Sequence, residues 1–517
     1  MLSTVYSAAT SGIDGYIITV ECNADERLPH FDLVGLPDAA VKEAKERVRT
    51  AMSNSGFTLR DLAITINLAP ADVKKEGSAF DVSLLLSILV CSGVIKKGTD
   101  LSKKCFIGEL SLSGELKPVN GSLCMCCAAK DAGMTELYVP VRNAEEVCVV
   151  PGINVYPVDN VRSLVRHLNG TELIEPMKYD MSLFNQNNYS DFRDFCEVKG
   201  QAKAKRALEI AAVGRHNVLL IGAPGTGKSM LAKRMPSIMP PMTFNEAIET
   251  TKIYSISAML PKDKQLITGR PFRSPHHTMS PISLVGGGSV PKPGEISLAN
   301  HGILFLDEFP EFPTNVIESL RQPIEDGQIT ITRATAKATY PCSFMLIAAM
   351  NPCKCGYFGH PSGKCSCKKG DVRKYISKIS GPMLDRFEIQ VEMEPLTADQ
   401  LTAPTSAEES SAVIRERVLE AIAFSNARIK KVSDGEYGSV TELTNEQALA
   451  FADMDEAATK FMKNAYEKMG LSARGFDRMV RLSRTIADMD RSDKVKTLHV
   501  AEALQLRSLD KKFWYEN

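Results

Sequence analysis

The chain has 517 residues, 44% hydrophobic and 24% charged, which is ordinary for a soluble globular protein and too long for a single core, so about three domains are expected. Sixty-two basic residues cancel sixty-two acidic ones, which excludes a global field for nucleic acid and leaves such contacts to local patches. The most apolar run, residues 82–95, is interrupted by serines and too short to span a bilayer; thirteen cysteines without an apolar leader point to a reducing cytoplasm, with free thiols or a metal site rather than disulfides.

In chain order, residues 1–170 alternate strand-like and helix-like segments. Strands are expected at 15–22, 31–37 and 61–68, helices at 38–55 and 80–94, and a hairpin over 106–116, together an α/β domain. Residues 171–190 are polar and Asn-rich and read as a linker.

The next segment carries the chemistry. Gly222-Ala223-Pro224-Gly225-Thr226-Gly227-Lys228-Ser229 matches the phosphate-loop pattern, preceded by the apolar strand 216–221 and followed by a helix. Its glycines allow a tight loop whose N–H groups face phosphate oxygens at the positive end of that helix. Lys228 can reach the β- and γ-phosphates of ATP and Ser229 can ligate Mg²⁺. Gly302-Ile303-Leu304-Phe305-Leu306-Asp307-Glu308 has the form of a Walker B strand, in which Asp307 holds Mg²⁺ and Glu308 orients and deprotonates the attacking water. A further apolar strand, 344–350, ends at Asn351, where an amide would stand beside the γ-phosphate as a sensor. Arg386, just before the strand 388–391, and Arg474, opening a helix, are candidates to stabilise charge on the phosphoryl oxygens.

Two inserts are candidates for substrate contact. Residues 272–293 are rich in Gly, Pro, Ser and His and read as a loop, with Arg270, Arg273, His276, His277 and Lys292 as basic groups for a phosphate backbone; adjacent histidines without further ligands are not expected to bind metal. Residues 327–333 alternate like a strand and form a hairpin before the sensor strand. Cys353, Cys355, Cys365 and Cys367 form a C-x-C-x9-C-x-C set that suits tetrahedral Zn²⁺, with reduced, unliganded thiols as the alternative and His360 as a substitute ligand. The same segment holds Lys354, Lys364, Lys368, Lys369, Arg373, Lys374 and Lys378 with Tyr357, Phe358 and Tyr375 interleaved, which fits either a nucleic-acid strand or a solvated face. Residues 402–411 are again polar, and 412–509 have a helical pattern.

The order of these motifs resembles that of the AAA+ ATPases, and most closely their Mg-chelatase-like branch, the YifB/ComM family. The shared strings are long: 198–201 (Val-Lys-Gly-Gln), 270–277, 291–299 and 321–327, and nearly the whole chain is covered. The resemblance implies an S5/Lon-protease-like α/β domain of ChlI type over 1–170, an AAA+ parallel-sheet core over 191–395 and a helical lid over 412–509. It further implies that Arg386 is a finger acting on a neighbouring subunit, that Arg474 is a second sensor, that the insert 272–293 faces a central pore, and that the working form is a hexameric ring. Lon-type proteases carry their serine where Ser78 stands, but where their lysine follows, this chain reads Ser122-Leu123-Cys124-Met125-Cys126-Cys127, so the domain is expected to be non-proteolytic. The function the resemblance implies is an ATP-driven motor on single-stranded or branched DNA, a helicase or branch-migration factor in DNA uptake or recombination. The alternative is a protein-remodelling or metal-insertion motor of the MoxR or Mg-chelatase kind.

Overall fold

The computed structural model describes residues 2–509 apart from 26–29, 58–61, 74, 182–183, 185–188, 190–191, 262–263, 289–290, 334–336, 403, 405–407 and 508, so the stretches expected as linkers lie partly outside the described residues. The N-terminal part is built on β1 (Leu2–Ser11), β2 (Asp14–Asp25), β3 (His30–Val34), β4 (Ala63–Ala69), β5 (Lys104–Phe106), β6 (Glu109–Leu110), β7 (Leu116–Lys117), β8 (Glu136–Pro140) and β9 (Asn154–Val158). Seven of these form a mixed sheet in the order β3-β4-β2-β1-β5-β8-β9. The hairpin expected over 106–116 is smaller than that: residues 104–106 join the main sheet, and only β6 and β7 pair with each other. The helix Asp81–Cys91 is buried on nearly every side against β1 and β2, which is why it reads as continuously apolar.

The central part contains β10 (Val218–Gly222), β11 (Phe272–Arg273), β12 (Gly286–Gly287), β13 (Lys292–Pro293), β14 (Ile303–Leu306), β15 (Gln328–Thr332), β16 (Lys337–Pro341), β17 (Met345–Met350) and β18 (Ile389–Met393). A five-stranded, wholly parallel sheet has the order β11-β14-β17-β10-β18. Both its faces are covered, so its strands are apolar throughout rather than alternating. Val218 and Leu220 pack with Phe195, Leu208 and Met479 on one face, while Leu219 and Ile221 pack with Leu284, Phe309 and Phe387 on the other. The C-terminal helices Ser411–Val432, Glu456–Met469, Ala473–Met489 and Thr497–Gln505 lie on the first face; Ser410, Asp455 and Ser472 cap the first three by accepting backbone N–H groups. Buried Asp488 accepts from Arg428 and Arg484, tying the first and third of these helices together.

The loop expected over 272–293 is only partly irregular. Phe272–Arg273 extends the sheet, and Ser280 accepts from the Ser283 N–H to cap a short helix, Pro281–Val285, with Pro281 at its first turn. The strands β12 and β13 then pair around Gly286 and Gly287, whose positive φ values of 107° and 156° no other residue adopts readily. The hairpin expected from 327 is present as β15 and β16. The turn between β1 and β2 reaches this hairpin, where Ile13 packs with Ile256, Ile331, Ala338 and Tyr340.

Candidate nucleotide site

The parallel order puts three strand ends side by side. The phosphate loop leaves the end of β10, Asp307 follows β14 and Asn351 follows β17, the strand between them. Gly225 and Gly227 take positive φ values of 81° and 93°, and the helix Lys228–Arg234 starts directly after them, so its free N–H groups point into the loop. Gln201, from the string before the loop, donates to the carbonyls of Thr226 and Glu394 and braces the loop from behind.

Lys228 is almost wholly buried, and its Nζ donates to the carbonyls of Gly222 (2.6 Å) and Ala223 (3.0 Å) and to Asn351 Oδ1 (3.1 Å). Burial pulls its ammonium down to about 8, with Asp307 acting in the opposite sense. A buried cation held only by neutral oxygens beside a ring of N–H donors is a fit for an anionic triphosphate. Ser229 Oγ donates to Asp307 Oδ2 at 2.6 Å, bringing together the hydroxyl and carboxylate that Mg²⁺ requires. Glu308 follows in left-handed backbone (φ 53°), its N–H donating to Asp307 Oδ1, and its side chain is 55% exposed. That is a strained conformation for a non-glycine residue, of the kind held in place at functional sites.

One partner of Glu308 was not foreseen. His277 Nδ1 lies 3.3 Å from Glu308 Oε2, and its ring is fixed between His276 and the edge of Phe312. His277 was expected only as a basic group for substrate. Nothing local in the sequence connects it to a residue 31 positions away. Arg270 and Arg273 are likewise not free for a phosphate backbone: Arg270 is buried on the carbonyls of Pro240, Pro241 and His301 and on Glu246, and Arg273 forms a two-pronged pair with Glu295.

Arg386 and Arg474 do not join this cluster. β18 runs parallel to β10 with Ile389 beside Val218, so Arg386, three residues earlier, sits at the end of the sheet away from the phosphate loop. Asn217, preceding β10, donates to the Arg386 carbonyl at that end. Arg386 is 3% exposed and pairs with Glu325 at 2.8 Å; Arg474 is 65% exposed and lies 3.5 Å from the same Glu325 oxygen. The gap to the loop is the length of β10, roughly 17 Å at about 3.3 Å per residue, which exceeds the reach of an arginine side chain. Arg386 therefore does not reach the phosphate loop of its own chain, and Arg474 stands beside it on the same Glu325.

The four cysteines do meet. Their sulfurs lie within 4.8 Å of one another, with Cys353–Cys355, Cys355–Cys365 and Cys353–Cys365 at 3.3, 3.6 and 3.8 Å. Four thiolates about 2.3 Å from a tetrahedral ion stand about 3.8 Å apart, whereas a disulfide needs about 2.05 Å, so the spacing fits an ion and not a bridge. The Phe358 N–H donates to Cys353 Sγ, and the Tyr357 N–H beside Cys355 pulls that thiol down to about 6, while Cys365 and Cys367, which share hydrogen bonds with Cys355 and Cys353, are pushed up. Of the basic and aromatic residues here, Lys354, Lys364, Lys368, Lys369, Arg373 and Lys374 are exposed, Lys378 reaches Glu311, and Tyr375 is buried and so lost to base stacking. In the N-terminal part, Ser78 Oγ donates to Glu109 and Lys117 pairs with Glu115, so neither of these forms a Ser-Lys dyad.

Sequence comparisons assign this arrangement. The model for magnesium chelatase subunit ChlI matches residues 194–401, that for the ChlI subunit of Mg-chelatase matches 20–143, and the ChlI C-terminal model matches 408–507. The chain is 39% identical to the competence protein ComM of Haemophilus influenzae over 98% of both chains, and 38% identical to YifB of Salmonella typhimurium over 99% of this chain and 98% of that one. The chain belongs to the YifB/ComM family of Mg-chelatase-like AAA+ ATPases. Its α/β architecture, with a central parallel sheet and helical C-terminal region, is that of the family, and membership implies ATP and Mg²⁺ at the site. A weaker match, 22% identity over 57% of this chain and 32% of the other, is to the maternal DNA replication licensing factor mcm6 of Xenopus tropicalis. Among the described residues no helix is long and apolar enough to cross a membrane.

Proposed function

We propose that this chain hydrolyses ATP as a subunit of a ring, most simply a hexamer, and uses the energy to move on DNA as a helicase or branch-migration factor in DNA uptake or recombination. The observation that carries the hydrolytic reading is the convergence of Lys228, Ser229, Asp307, Glu308 and Asn351 at three adjacent strand ends. Lys228 and the loop N–H groups of residues 222–229 hold the phosphates, Ser229 and Asp307 hold Mg²⁺, Glu308 activates the attacking water, and Asn351 senses the γ-phosphate. Arg386 and Arg474, remote from their own loop and sharing Glu325, supply positive charge to a neighbour's nucleotide, Arg386 as the finger and Arg474 as the second sensor. A structural Zn²⁺ on Cys353, Cys355, Cys365 and Cys367 completes the ligand set.

DNA as the substrate is supported by the exposed lysines of the cysteine loop and by the names of two relatives, a competence protein and a replication licensing factor. The family descriptions, which name a metal chelatase, favour the second reading, a protein-remodelling or metal-insertion motor. ATP turnover measured with and without single-stranded and branched DNA separates the two. Stimulation by DNA is expected; a folded ring whose turnover no DNA form changes would sink the DNA reading and leave the second. The domain organisation proposed with this function is a non-proteolytic ChlI-type module over 1–170, a linker to 190, the ATPase core over 191–395 and the lid over 412–509, working in the cytoplasm.

A further inference from the structure

The cysteine loop is not a remote appendage of the ATPase core. β17 ends at Met350, directly before Asn351, the amide that meets Lys228, and Cys353 comes two residues after that, fully buried in the cluster that holds Leu306, Met350 and Phe309. Three residues on, Gly356 turns back in left-handed backbone (φ 86°) and lies directly on the phosphate loop. A Cβ at Gly356 would stand 2.6 Å from Pro224 Cδ and 3.9 Å from the Asn351 side-chain carbon. The loop thus touches the nucleotide site at two points, the Asn351 amide and Pro224 of the phosphate loop.

No regular backbone pairing holds it there. Between Met350 and the helix Lys369–Ile376 there is no strand or helix, and the backbone bonds inside the loop are single turns, Gly356 N–H to the Cys353 carbonyl, His360 N–H to that of Tyr357 and Gly363 N–H to that of His360. Of the four cysteines Cys353 is buried within the core, while the other three are half-exposed and pack against its edge. Such a loop gains its fixed shape from an ion that joins its two halves, because closing it without one costs ordering entropy and returns few contacts.

We propose that the four-cysteine site, filled by a thiophilic tetrahedral cation of the Zn²⁺ class, is the control point of the nucleotide site: the ion clamps Gly356 on Pro224 and fixes Asn351, so that ATP binding and turnover follow metal loading. This rests on the nucleotide-site reading above but not on DNA as the substrate. Lys354 and Tyr357, on the same clamp, then give anything that touches this loop a mechanical path to the phosphates.

The test uses the full chain. Metal analysis is expected to give one zinc per chain, and removal by a high-affinity chelator should weaken binding of a fluorescent ATP analogue about tenfold or more, with recovery on adding Zn²⁺ alone. Unchanged affinity in the stripped, folded protein overturns the proposal, as does a chain that takes up no zinc with all four thiols reduced. Should stripping unfold the domain, Gly356→Ala decides, since it keeps every ligand. It is expected to retain zinc while turnover falls at least about fivefold, because the new Cβ pushes Pro224 aside. Turnover within twofold of the parent refutes the clamp. Zinc-dependent analogue binding without any hydrolysis would leave this proposal standing and remove the ATPase reading instead.

Discussion

Replacing Arg386 by Ala tests whether the proposed ATP hydrolysis works only across a subunit boundary. From the strand register Arg386 lies roughly 17 Å from its own phosphate loop, so it contributes nothing to its own nucleotide and the variant should bind ATP as the parent does. Loss of an arginine that stabilises phosphoryl charge lowers turnover by about 10³-fold or more. The change leaves no isolated buried charge, because Glu325 is one-third exposed and still faces Arg474. A stability cost of about 1–3 kcal/mol is expected from the emptied site, and ring assembly is checked by size exclusion. The deciding assay mixes Arg386→Ala with Glu308→Gln, each inactive alone. A junction is competent when an intact Glu308 meets a neighbour's intact Arg386, and random mixing in a ring makes about one junction in four competent. Recovery to about a quarter of the parent turnover is therefore expected. A mixture as inactive as its components, with mixed rings demonstrated, refutes the trans assignment.

Three other outcomes follow from particular contacts. Glu308→Gln should bind ATP but fail to turn it over, in single-turnover measurements as well as at steady state; normal hydrolysis would remove Glu308 from the mechanism. His277→Ala removes the imidazole that stands 3.3 Å from the Glu308 carboxylate, a part-exposed contact worth up to about 1 kcal/mol, so basal turnover should rise by up to about fivefold with ATP affinity unchanged, and an unaltered rate would show that the contact is idle. His216 is buried against Thr485, and burial, with Arg481 and Arg478 near, pushes it down to about 3 from its ordinary 6.5. Below pH 6.5 the unfolded chain takes up a proton that the folded chain refuses, so this residue costs about 1.4 kcal/mol of stability per pH unit between 6.5 and 3. Denaturant titrations should show that slope in the parent and a shallower one in His216→Gln.

Much of the site was legible in the chain because its parts are local. Loop, lysine and hydroxyl are contiguous at 222–229, and strands ending in Asp307-Glu308 or in Asn351 announce themselves by an apolar run stopping at a polar group. The short helix Pro281–Val285 was announced too, by Ser280 and Pro281 at its start, but Gly-rich composition around it outweighed a five-residue signal. The exposure of Arg270, Arg273 and Tyr375 could not be read at all, since a basic or aromatic letter says nothing of whether Glu246, Glu295 or an apolar core awaits it.

By itself, then, the sequence determined the candidate nucleotide-site groups, the α/β class and the four thiols spaced for an ion. The tertiary structure alone decided where those groups act. Inserting β17 between β10 and β14 is what brings Asn351 to Lys228, 123 residues away, and the parallel register of β18 is what carries Arg386 to the far end of the sheet. Folding the chain back through Gly356 sets the cysteine loop on Pro224. Each of these is a contact between distant segments, fixed by strand order and packing around two buried sheet faces, and no local pattern of residues encodes it.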